Sequence, residues 1–177
     1  MKLICIFDTG IQKLFSIKYS KEKDDEFLRL FKSWDDIQFL ENFFDNNKQN
    51  LCSGFFPSDF VAHAVLETKE NANIFKKQFF EIGNNMSNTK LDDLFDPLSN
   101  KTDDNQYALR FKAKDKSSKH SILRIYALKI SSNHYVITGG GIKLTRTMQE
   151  SPELSQELSK FDIVKKFLIK NKYLKIN

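Results

Sequence analysis

A chain of 177 residues, 40% hydrophobic and with 17 phenylalanines, is long enough to bury one core, and a single domain over 1–177 is expected. Its two cysteines, Cys5 and Cys52, are far apart and outside any CxxC pattern, which argues against a disulfide framework or a zinc site and for a reducing cytoplasm. The net charge of +5 is unevenly spread: residues 107–177 hold 15 Lys/Arg against 5 Asp/Glu, whereas 1–106 hold 13 against 18.

A basic half on an acidic scaffold favours an anionic partner, nucleic acid first. The competing explanation is a solvated C-terminal helix, since six of those 15 cations lie in 160–175. The apolar run Leu3–Phe7 is cut off by Asp8, too short for a signal-peptide core or a membrane span. A soluble cytoplasmic protein with no membrane partner is the expectation.

Residues 3–7 and 14–19 read as a β-hairpin around the turn signal Asp8-Thr9-Gly10. From Asp25 to Asn46, Phe27, Leu30, Phe31, Trp34, Ile37, Leu40, Phe43 and Phe44 follow the three- and four-residue steps of one amphipathic helix. Glu26, Lys32, Asp35, Asp36 and Glu41 fall on its polar face. Trp34 is expected in the core. Ser58 is a plausible N-cap for a second helix, whose stripe runs from Val61 to Ile82, with a break expected near Lys69–Asn73. His63 has no metal-spaced partner and is expected to be structural.

Leu91–Leu98 reads as a short helical turn stopped by Pro97. Three strands then follow within Tyr107–Met148. Ser151-Pro152-Glu153 opens a last helix with Leu154, Leu158, Phe161, Val164 and Leu168 as its buried stripe. The fold class expected is α+β: an antiparallel-rich sheet, made of the N-terminal hairpin and three C-terminal strands, packed with amphipathic helices. Residues 1–90 supply the hairpin and helical portion, and 91–177 the strand core with the final helix.

The three strands carry cations where apolar residues are the default. Tyr107, Leu109 and Phe111 alternate with Arg110 and Lys112, while Arg124 interrupts the apolar run Ile122–Ile130 on the face of Tyr126 and Leu128. A mid-strand guanidinium needs water, a carboxylate or a phosphate. The third strand, Tyr135–Thr138, runs into Gly139-Gly140-Gly141, glycines that permit a bulge, a bend or a close approach of backbone. No GK[ST] follows, so this is no Walker loop. Strict alternation sets Lys143 and Arg146 on opposite faces unless the strand bends. His120, in the loop Lys114–His120, is an acid–base candidate or simply an exposed loop histidine.

The run LRFK, then ILRIYALKI, then HYVITGGGIKLTRTMQESPEL, with LFDPL before them, resembles the core of RelE/HigB-type toxins of bacterial toxin–antitoxin systems. The resemblance spans 91–168. It implies an mRNA endoribonuclease acting on RNA, often on ribosome-bound message, and neutralised by an antitoxin partner, expected to be a helix-turn-helix protein. It implies Arg124, Lys143 and Arg146 as catalytic residues and Arg110 and Lys112 as RNA-binding, with Lys114, Lys116 and His120 joining them from the adjacent basic loop. The implied chemistry is metal-independent attack of a ribose 2′-OH on the adjacent phosphate, with arginines stabilising the phosphorane and no cofactor. Two other readings stay open: a non-catalytic nucleic-acid binder on the same scaffold, and a protein-binding accessory factor using the acidic N-terminal helices.

Overall fold

The computed structural model describes residues 1–48, 61–98, 110–113, 122–144 and 152–174, with backbone alone for 110–113 and 152–154. Strands β1 (Lys2–Asp8) and β2 (Lys13–Lys18) lead into helices α1 (Glu26–Asp35), α2 (Ile37–Asn46) and α3 (Val61–Gly83). A four-residue helix α4 (Leu91–Leu94) precedes β3 (Phe95–Pro97), β4 (Arg110–Ala113), β5 (Leu123–Ser131), β6 (His134–Ile142) and α5 (Pro152–Lys170). The strands form one sheet in the order β1-β2-β6-β5-β4-β3. All neighbours are antiparallel except β2 and β6, which run parallel over Lys13–Ser16 and His134–Ile137. The N-terminal hairpin therefore extends the C-terminal strands, in a mixed α+β sheet.

Period-two alternation in β5 sends side chains to two separate cores. Leu123, Ile125 and Ala127 join Tyr135, Ile137 and the buried rings of α1–α3, including Phe31, Trp34, Phe75 and Phe79. Tyr126 and Leu128 join Ile17 and Val136 against Phe161, Val164 and Leu168 of α5. Both faces of the central strand are thus covered, which explains its apolar run.

Several expectations change. The helix expected over Asp25–Asn46 is two helices, because Asp36 adopts extended geometry at their junction. Its carboxylate accepts from Phe39 N–H at 3.1 Å and caps α2. The break expected near Lys69–Asn73 is absent: Thr68, Ala72 and Phe75 carry one buried stripe through that stretch, and packing outweighs the weak asparagines. His63 is 57% exposed in its side chain and lies 3.7 Å from Glu67, a surface position. The turn at Leu91 becomes β3 at Phe95 and does not continue as helix to Pro97. Strand β6 does not end at the glycines but runs through them to Ile142.

The expected first turn holds: Gly10 has φ +83°, and its N–H donates to Asp8 Oδ1 at 2.8 Å. At the neighbouring hairpin, between β5 and β6, Asp92 of α4 gathers four donors. Asn133 N–H (2.9 Å), Tyr135 O–H (2.9 Å), Ser132 O–H (3.0 Å) and the Lys129 ammonium (3.0 Å) all reach its carboxylate. Burial alone pushes this carboxyl up, but the hydrogen bonds outweigh it and hold the pKa at about 2, against an ordinary 3.8.

A depressed carboxyl stabilises the fold above its ordinary pKa and loses that contribution as pH falls. Asp92→Asn is therefore expected to cost about 1–2 kcal/mol at pH 7, allowing for solvent screening of a side chain 29% exposed. Urea unfolding of wild type and variant should show the gap unchanged from pH 7 to about 4 and closing towards pH 2. A gap independent of pH across that window would contradict the assignment.

Candidate functional site

Arg124 and Lys143 come together through register. The Cα of Arg124 pairs with that of Gly141. Lys143 N–H then donates to Ile122 O at 2.8 Å, which continues the ladder. Alternation from Gly141 puts Lys143 on the sheet face that holds Arg124, at the same end of the β5–β6 ladder. No bend at the glycines is needed. The irregularity lies one residue earlier: Tyr126 pairs with Gly139 while Ala127 pairs with Ile137, so Thr138 is an extra residue in β6.

Arg124 is partly buried, and its guanidinium donates to Leu123 O at 2.8 Å. Burial pushes its pKa below the usual guanidinium value, with Tyr126 opposing, and an arginine keeps its charge at neutral pH. Tyr126 itself is fully buried, and burial holds its hydroxyl neutral. On β4, Lys112 pairs in register with Tyr126 and Arg110 with Leu128. Lys112 is thus at a position about 7 Å along the sheet from the Arg124 row, and Arg110 about 13 Å from it. Lys114, Lys116, His120 and Arg146 lie outside the described residues.

A second constellation adjoins this end. The pairing of β2 with β6 stops at Ile137, and among the described residues no strand covers the far half of β6 on that side. Side chains take over the backbone groups there. Tyr19 O–H donates to Thr138 O at 2.8 Å, and Gly140 N–H donates to Glu157 Oε2 at 3.0 Å. The glycines make this possible: a Cβ at Gly139 would collide with the Glu157 carboxylate, and one at Gly140 with the Arg124 carbonyl.

Glu157 belongs to a four-charge cluster with Glu26, Arg29 and Lys160. Arg29 grips Glu26 through two bonds, Nε at 3.0 Å and a terminal nitrogen at 2.6 Å. Lys160 reaches Glu157 at 2.8 Å and Glu26 at 3.3 Å. Glu26 is 1% exposed, so its place on the polar face of a helix is a buried one here. Burial alone would push the Arg29 pKa down, but the bonds to Glu26 and the charge of Glu157 outweigh it and raise it. Burial, Glu26 and Glu157 together push the Tyr19 phenol up. Sequence reasoning missed this cluster. Its one local signal is Glu26 and Arg29 three apart on α1, which looks like any surface helix pair.

Between α1, α2, the first turns of α5 and Gly140–Ile142 lies a cavity of about 220 Å³. Arg29, Trp34, Phe39 and Glu157 are among the side chains that line it. Among the described residues, no group of His, Cys, Asp or Glu is arranged to hold a metal ion, and no helix is long and apolar enough to cross a membrane. No family model matches the chain, and neither the curated proteins nor the solved structures contain a match.

Proposed function

We propose that this protein cleaves RNA as a toxin-type endoribonuclease, with Arg124 at the centre of its site. The observation that carries the reading is the shared face and strand end of Arg124 and Lys143, fixed by the Gly141 register. Two cations so placed suit one phosphodiester: the guanidinium offers paired hydrogen bonds to phosphate oxygens, and the ammonium offers a mobile point charge. The 2′-OH attacks the neighbouring phosphorus, Arg124 and Arg146 stabilise the charge that grows on the equatorial oxygens, and Lys143 assists proton transfer. Lys112 at the adjacent register position, together with Arg110, Lys114, Lys116 and His120, tracks the flanking phosphates. An antitoxin partner, a helix-turn-helix protein by resemblance, holds the activity in check.

Induced expression tests this. The wild type is expected to arrest growth, and Arg124→Ala to relieve the arrest while its circular dichroism stays native. Arrest that persists in a folded Arg124→Ala protein would remove Arg124 from the chemistry. The partial burial of Arg124 favours a second reading, a non-catalytic RNA binder on the same scaffold. That reading predicts salt-sensitive RNA association, with each lost phosphate contact lowering the salt slope by about 0.7, and no arrest.

A further inference from the structure

The cavity beside Gly140 has a chemistry of its own. Its charged groups are already matched, Arg29 by Glu26 and Glu157 by Lys160 and Gly140 N–H. A charged ligand would gain little from entering it. At about 220 Å³ it is smaller than the roughly 300–1,000 Å³ typical of pockets for drug-sized molecules. That size suits one planar ring system. An extended peptide is a poor match, because only Gly140–Ile142 of β6 lines the cavity.

Two further features define the occupant. Alternation in the β5–β6 ladder turns the backbone of Gly141 and Lys143 towards β5, as the bond from Lys143 N–H to Ile122 O shows. The backbone of Gly140 and Ile142 therefore faces the other way, to the side that β2 does not reach, as the bond from Gly140 N–H to Glu157 shows. The Gly140 carbonyl and the Ile142 N–H face that side, an acceptor and a donor spaced for the hydrogen-bonding edge of a heterocycle. Two exposed side chains line the cavity: Gln156, able to donate and accept, and Phe39, 42% exposed and stacked on Phe43 with ring centroids 6.4 Å apart. An exposed aromatic beside a backbone donor–acceptor pair and an amide provides what unstacked nucleobases use for recognition, a stacking face and an edge.

We infer that this cavity binds one unpaired nucleobase of an RNA strand whose phosphate lies on Arg124. The inference rests on the RNA reading above. Gly141 lines the cavity and is also the register partner of Arg124, so the two sites lie on either side of the end of β6.

Trp34, the only tryptophan in the chain, lines the cavity and reports on its occupancy. The full-length protein is titrated with the four ribonucleoside 5′-monophosphates and with single-stranded hexaribonucleotides, following Trp34 fluorescence. At least one monophosphate is expected to give a saturable change, and hexamers to bind more tightly because they add phosphate contacts. Phe39→Ala and Gln156→Ala alter exposed side chains and keep the fold. Loss of stacking in the first should weaken binding about fivefold or more. No saturable change with any ligand, or binding indifferent to both substitutions, would overturn the base site. Monophosphate binding without tighter hexamer binding would overturn the RNA assignment in favour of a free nucleotide. The outcome is separable from the parent reading: base binding in a protein that leaves growth untouched keeps the cavity and sinks the toxin. Growth arrest with a silent cavity does the reverse.

Discussion

Glu26→Ala is expected to destabilise the fold by about 3–5 kcal/mol, the range found when one member of a buried ion pair is removed. The carboxylate is 1% exposed and holds both Arg29 and Lys160. Its loss leaves two cations facing one remaining carboxylate, Glu157, in a site with little water. The penalty comes from those uncompensated charges more than from lost attraction, so the partner substitution matters. Replacing Glu26 and Arg29 together with methionine and leucine should recover a large part of the loss, because apolar residues of similar volume fill the space without a charge to solvate. Urea denaturation followed by circular dichroism measures both. A Glu26→Ala midpoint equal to that of the wild type would mean that the cluster is solvated, and the packing of α1 against α5 at this point would have to be redrawn.

The second large effect separates two neighbouring glycines. Gly140→Ala forces a methyl group against the Arg124 carbonyl and to within 2.9 Å of Leu30 Cδ1. The carbonyl belongs to the backbone of the adjacent central strand, which cannot move without breaking its ladder. A cost of about 2–3 kcal/mol is expected, at the upper part of the range for overpacked cores. Gly139→Ala meets the Glu157 carboxylate instead, the far end of a rotatable side chain. That carboxylate can swing aside at the expense of its bond to Gly140 N–H, so the expected loss is about 1 kcal/mol. Thermal or urea midpoints that put Gly139→Ala below Gly140→Ala would contradict the assigned contacts.

How much of this was legible in the sequence follows from the range of each signal. The strand alternation of β2, the stripe of α3 and the apolar run of β5 are local patterns set by burial, and they read correctly. The Asp36 break also had a local signal, an aspartate placed to cap the helix opening at Ile37, but the apolar rhythm runs unbroken across it and hides it. The parallel pairing of β2 with β6 has no local signal, since the two segments are more than a hundred residues apart. The same distance conceals the contact of Glu26 with Lys160, 134 positions on. The three glycines announced a close approach without saying to what. Only the fold supplies the answers, the Glu157 carboxylate and the Arg124 carbonyl. Plain alternation after the Thr138 bulge puts Lys143 on the Arg124 face, while Arg146, whose place the bend also concerned, lies outside the described residues.

The central claim is chemical, and the ends of cleaved RNA test it most directly. Attack by a 2′-OH on its own phosphodiester leaves a 2′,3′-cyclic phosphate on one fragment and a 5′-hydroxyl on the other. Purified full-length protein incubated with single-stranded RNA is expected to give those ends, and Arg124→Ala to lower the rate at least a hundredfold, the loss of about 2.7 kcal/mol or more of transition-state stabilisation. Intact RNA, or fragments ending in 3′-hydroxyl and 5′-phosphate groups, would contradict it.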